Sequence, residues 1–163
     1  MGIDYIRLRC GLSDCGNIDY HVVESAAICE EGRSLFESDL RISFHSSLPQ
    51  RTLGADIVYI NSALQYMSDY GSILNELCAY KPKYFLFVRL SAGEVPTYFT
   101  LQKNVSGVNS AYQFVNIYEF TELMSVNGYK LIFKGRGDVM YDQNNFPQTH
   151  RLGYTCNLAF IRA

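Results

Sequence analysis

Thiols, imidazoles, carboxylates and amides are spread thinly along this chain, and their spacing narrows its chemistry. The five cysteines, Cys10, Cys15, Cys29, Cys78 and Cys156, form no C-x-x-C pair of the kind found in zinc and redox sites. They read as free thiols of a reducing compartment. The histidines His21, His45 and His150 are far apart in sequence, and no metal centre is expected. The polar residues of most interest close apolar runs: Glu24 follows Ile18–Val23, and Asn61-Ser62 follows Asp56–Ile60. In an open α/β sheet, ligands bind just beyond the carboxyl ends of the strands. Asn61 to Tyr66 stands at such an edge, although an ordinary strand-to-helix turn uses the same residue types. No catalytic base is evident.

The elements around those residues must place them. Residues 3–12 fit two templates: Ile6, Leu8 and Cys10 alternate with Arg7 and Arg9 as in a strand, while Ile3, Ile6 and Cys10 share a helical face. Gly11 to Asn17 reads as a loop. Ile18 to Val23 is a short strand. A helix follows over about 26–36, with Ser25 as candidate N-cap, Glu30 and Glu31 near its start, and Ile28, Leu35 and Phe36 available for packing. Arg41 to Phe44 is the next strand, and Pro49 stops its continuation.

The run Ile57-Val58-Tyr59-Ile60 suits a strand buried on both faces of a parallel sheet. A helix over about 70–80 carries Ile73, Leu74, Leu77 and Cys78 as a stripe, and Tyr84 to Leu90 is another buried-type strand. Strands alternating with helices indicate parallel α/β construction. Residues 91–116 read as irregular, with a short strand over Tyr98–Gln102 and a length that suits a functional lid. Tyr118 to Asn127 is a helix with Phe120, Leu123 and Met124 inward and Gly128 at its C-terminal cap. The last strands, Lys130–Phe133 and about Tyr154–Ile161, have no clear helix between them and so pair antiparallel.

The bulk composition sets bounds. At 163 residues, one domain spanning 1–163 is expected. Hydrophobic residues make up 48% and charged residues 18%, as in a folded chain. A net charge of -2 without a basic run argues against nucleic-acid binding. No apolar run reaches a membrane span. Met1-Gly2-Ile3-Asp4-Tyr5-Ile6 lacks the pattern of a signal peptide, so a cytoplasmic location is expected.

Several segments together resemble a known family. They are Tyr20-His21-Val22-Val23-Glu24, Leu64-Gln65-Tyr66, Lys83-Tyr84-Phe85-Leu86-Phe87-Val88-Arg89, Thr100-Leu101-Gln102 and Asn127-Gly128-Tyr129. The ordered set, from about residue 2 to the C-terminus, resembles bacterial class I S-adenosylmethionine (SAM) dependent methyltransferases. The resemblance implies a Rossmann-like three-layer α/β sandwich with a mostly parallel sheet and an antiparallel C-terminal strand. It implies SAM as cofactor and a small-molecule or glycan methyl acceptor.

The family's contacts carry over one residue at a time. Glu24 takes the place of the acidic residue that holds the ribose hydroxyls, a role suited to an acceptor of two hydrogen bonds; a plain helix-start charge is the alternative. Ser46, in the loop His45-Ser46-Ser47-Leu48, stands where adenine is met, without the acidic residue common there. Asn61 and Ser62 lie near the methionine part. Gln65, Tyr98 and Tyr112 are placed on the acceptor side, as is His45, each with a structural reading beside it.

Such enzymes begin with a strand and a G-G-x-x-G turn, whose glycines allow close backbone approach to the cofactor. Here Gly2 takes the place of the last of those glycines, and the strand before it is absent. The resemblance therefore implies an N-terminally truncated domain with weak or no SAM binding. The missing strand would lie between the strand ending at Glu24 and the one ending at Asn61, and an open edge there invites a homodimer. A non-catalytic Rossmann-like remnant, binding a ligand or associating with itself, is the competing expectation.

Overall fold

The computed structural model describes residues 18–103, 107–137 and 142–163. Gly2, Cys10, Cys15, the strand-or-helix reading of 3–12 and the loop 11–17 lie outside the described residues. The chain divides into two compact units, the first running to Leu53 and the second from Gly54 to Ala163.

In the first unit, β1 (Tyr20–Val23) pairs in parallel with β2 (Ile42–His45), Tyr20 opposite Ile42 and Val23 opposite His45. One face of this pair forms a small core of Val22 and Ile42, packed by Tyr20, Phe36 and Phe44. Helix α1 (Ala26–Leu35) connects the strands. Its Gly32 lies so close to Phe44 that an added Cβ would stand 2.3 Å from the ring, so the small residue is what lets helix and ring meet. Ser25 is the N-cap residue, as its position predicts, but its side chain makes no cap hydrogen bond. Two expectations fail here. No acidic residue lies in the first turn, because a helix starting at Ala26 puts Glu30 and Glu31 in its second turn. Ile28 and Leu35 are exposed, and Cys29 is the buried residue instead.

In the second unit, β3 (Ile57–Asn61) pairs in parallel with β4 (Tyr84–Leu90). Next to β4 lies β9 (Cys156–Arg162), antiparallel to it and to β8 (Tyr129–Arg136), giving the order β3-β4-β9-β8. The described pairing is mixed and not mostly parallel, because β9 returns between two strands and opposes both. Helices α2 (Tyr70–Cys78) and α3 (Ile117–Val126) pack with one face of this sheet. Leu74, Phe120 and Met124 from the helices meet Phe85, Phe87, Leu158 and Phe160 from β4 and β9 in one core. Phe87 is the hub, edge-on to both Phe120 and Phe160 at 5.0 and 5.8 Å.

The alternating buried and half-buried pattern of β4 shows that one face of the sheet carries this core. Strand β3 is correspondingly half-buried, with Ile57 54% exposed, and not buried on both faces. Both helices have side-chain caps. Asp69 accepts from Ser72 N, and Asn116 from Tyr118 N and Glu119 N. Gly128 closes α3 at φ +83, as its sequence position predicts.

The described residues between 91 and 116 form more strand than expected. β5 (Ala92–Gly93) and β6 (Tyr98–Lys103) flank β7 (Asn109–Asn116) in a three-stranded sheet. β6 and β7 form a hairpin, with Tyr98 opposite Phe114 and Lys103 opposite Asn109. Val95, Tyr112, Phe114 and Leu152, with Tyr98 against them, make a second small core. Among the described residues, no helix is long and apolar enough to cross a membrane.

Candidate functional site

The strongest local feature of the second unit lies where β3 and β4 end side by side. Ser62, directly after β3, has φ +52, and Arg89, near the end of β4, has φ +55. Of the three non-glycine residues in the left-handed region among the described residues, Lys81 at φ +53 lies elsewhere and these two meet here; each costs on the order of 1–3 kcal/mol, and such strain gathers at functional sites. Both are held by neighbours. Ser62 N donates to Val88 O at 2.9 Å, and Arg89 N donates to Asn157 Oδ1 at 3.0 Å. The register between β4 and β9 shifts at this point, between Phe87 and Leu90.

Gln65 joins the two strained residues. It sits in the short turn Leu64–Tyr66 and is 2% exposed. Its Nε2 donates to Ser62 Oγ at 2.9 Å and toward Arg89 O at 3.4 Å. The Arg89 carbonyl can only accept, which favours this amide orientation and leaves Oε1 buried with no hydrogen-bond partner. A buried unpaired carbonyl costs about 1–3 kcal/mol, so this atom calls for a donor. The walls around it, Ile60, Leu64, Phe87 and Leu90 among them, are apolar.

The acceptor-side candidates are brought partly together. Tyr66 meets Tyr112 edge-on at 5.2 Å, and its hydroxyl donates to Gln102 Oε1 at 2.9 Å. Tyr112 is buried and shares a 2.5 Å hydrogen bond with Ser91 Oγ. Tyr98 stacks on Phe114 at 4.9 Å, and its hydroxyl donates to His150 O at 2.6 Å. Burial pushes the Tyr98 pKa upward, so it stays protonated at neutral pH and is no base there. Asn61 is half-buried at the end of β3.

In the first unit, Glu24 follows β1. Its backbone N–H donates to His45 O at 3.0 Å, and its carboxylate accepts from Ser25 N at 3.1 Å. The thiol of Cys29 donates to Glu24 O at 3.4 Å. Ser46 is exposed in a bend after β2. His21 and His45, read as distant from their numbering, are in contact: Nδ1 of the first lies 2.9 Å from Nε2 of the second. Parallel pairing of β1 with β2 is the reason, and sequence distance could not show it.

Sequence reasoning missed Arg89 and Ser91 as partners at these edges. The only available signal for Arg89 was a charged residue inside an otherwise apolar strand.

No family model matches the chain, and no curated protein sequence matches it. Solved structures do match in fold. A candidate SAM-dependent methyltransferase from Listeria monocytogenes superposes with a TM-score of 0.62 at 8% identity, covering 88% of this chain and 79% of that one. A SAM-dependent methyltransferase from Mesorhizobium loti gives 0.57 at 10% identity, covering 98% and 97%. A pericyclic reaction enzyme gives 0.60 at 12% identity, covering 99% of this chain and 40% of that one. The mixed α/β fold is thus that of the class I methyltransferase structures.

Proposed function

We propose that this chain binds SAM and transfers its methyl group to a small-molecule or glycan acceptor. The observation that carries the reading is the corner after β3. Strained Ser62, strained Arg89 and the unpaired Gln65 carbonyl converge at the carboxyl edge of two parallel strands, where α/β folds bind ligands. Asn61 and Ser62 serve the methionine part, and Gln65, Tyr98 and Tyr112 the acceptor side. Glu24 and Ser46 keep the ribose and adenine roles that the resemblance gives them, and Gly2 that of the turn. Methyl transfer asks mainly for positioning of donor and acceptor, which suits a site without an evident base. The test is calorimetric titration of residues 1–163 with S-adenosylhomocysteine. Weak saturable binding that Glu24→Ala abolishes is expected. No heat at millimolar ligand overturns the reading for this chain.

A second reading is a non-catalytic ligand-binding or self-association module. One observation favours it: the hydroxyls of Tyr98 and Tyr112 are both engaged internally. Light scattering at micromolar concentration, with and without S-adenosylhomocysteine, separates the readings. A dimer that ignores the ligand supports the module, and a monomer that binds it supports the enzyme.

A further inference from the structure

The pairing of β1 with β2 sets two imidazoles on one face. His21 stands opposite Ser43, and His45 opposite Val23, so the histidines are diagonal neighbours on the face away from the Val22–Ile42 core. Their ring centroids are 5.1 Å apart, and His21 Nδ1 lies 2.9 Å from His45 Nε2. Two ring nitrogens at that distance hold one proton between them, since one must donate and the other accept.

The neighbours fix the direction. His21 Nε2 lies 3.4 Å from Asp19 Oδ2, which favours a proton on that nitrogen and leaves Nδ1 as acceptor. His45 Nε2–H is then the donor. A first added proton can enter at His45 Nδ1 and leave the contact whole. A second can enter only at His21 Nδ1, where it meets the His45 N–H and breaks the contact.

The remaining charged groups around the pair do not offset this. Arg33 of α1 donates to Phe44 O at 2.8 Å and adds positive charge. The Glu24 carboxylate is turned to Ser25 N, and Asp39 is held by Arg41. Burial, then His21, then Arg33 hold the His45 pKa below its ordinary 6.5. Among the described residues, no third His, Cys, Asp or Glu completes a metal-binding group.

We propose that His21 and His45 form a one-proton latch across β1 and β2, closed at neutral pH and opened by a second proton. The sign follows from the proton count. The folded unit binds protons at His45 less readily than the unfolded chain, so the latch's stabilisation is present at neutral pH. The first proton leaves the contact whole, so that stabilisation is lost only as pH falls below the ordinary histidine range and the pair takes its second proton. Glu24 N and Ser46 adjoin His45 in backbone, so the ends of both strands loosen with it.

The test is a histidine ¹⁵N NMR titration of the whole chain, with His150 as internal reference. The paired rings should titrate in two steps separated by about 1 pH unit or more. In His45→Asn, the two-step pattern should be lost. Two independent ordinary steps in the wild type, unchanged in the variant, overturn the latch. Should His45→Asn fail to fold, the wild type alone decides. A single tautomer for each ring at high pH supports the latch, and the mixed tautomers of solvent-exposed rings overturn it. None of these readouts involves SAM, so the latch and the methyltransferase reading fail separately.

Discussion

The two units hold themselves together in different ways. In the second, Phe85, Phe87, Phe120, Phe160 and Leu74 are all no more than 1% exposed, and both helices that pack on the four-stranded sheet carry side-chain caps. In the first, Val22 and Ile42 are the buried core of the strand pair, and its helix starts without a side-chain cap. Apolar burial contributes roughly 25 cal/mol per Å², so among the described residues the second unit is the firm scaffold and the first the thin one. The strained corner at Ser62 and Arg89 sits on the firm unit, which can sustain strain. The His21–His45 pair sits on the thin one, where a modest change in charge has leverage.

The largest expected effects test that contrast directly. Phe87→Ala should destabilise the second unit by about 3–5 kcal/mol, because it empties the middle of an aromatic cluster. Val22→Ala should cost about 1–3 kcal/mol and lower amide-exchange protection in β1 and β2 alone. Denaturant unfolding with residue-resolved hydrogen exchange reads both. A Val22→Ala effect as large as that of Phe87→Ala, spread over both units, would break the comparison.

Caps give the next, smaller pair. Asn116 accepts from two backbone N–H groups and donates through Nδ2 to Val95 O at 3.0 Å. Asn116→Ala should therefore cost about 1 kcal/mol, with up to about 2 kcal/mol within range. Ser25→Ala at the start of α1 should stay within about 0.5 kcal/mol, since its side chain caps nothing. Equal losses in thermal unfolding would show that Ser25 does cap its helix in solution.

What was legible in the sequence was local. Tyr84–Leu90 reads correctly as a strand because an apolar run lies between Pro82 and Ser91, and α3 because Phe120 and Met124 recur at helical spacing ahead of Gly128. What escaped depends on long-range pairing. β9 slots beside β4, with Arg89 and Asn157 meeting across 68 residues, and nothing in either segment states that order. β7 opens with polar Asn109 and Ser110, so it reads as loop until its hairpin with β6 is formed.

The candidate site divides the same way. Asn61 and Ser62 stand out as a polar end to an apolar strand. The burial of Gln65 and the left-handed Arg89 follow from packing and register. His21 and His45, 24 residues apart, become neighbours only once two strands lie parallel.

The smallest expected effect separates the units along the pH axis. Asp69 caps α2 through Ser72, whose Oγ and N donate at 2.7 and 2.9 Å. First the side-chain and then the backbone hydrogen bond hold its pKa below the ordinary 3.8. A carboxylate with a depressed folded pKa stabilises above its unfolded value, and the gain is lost as pH falls through the folded one. Asp69 therefore weakens the second unit only in strong acid, whereas the histidine pair acts on the acid side of the ordinary His value of 6.5. On stepwise acidification, amides of β1 and β2 should lose exchange protection first, and those of α2 much later. Asp69→Asn keeps a side-chain acceptor that suits an N-cap but cannot titrate. It should leave the order of events intact and flatten the acid limb of the second unit. Simultaneous loss in both units, or loss in α2 before β1, would show that the two regions share one acid response and that the contrast between them is wrong.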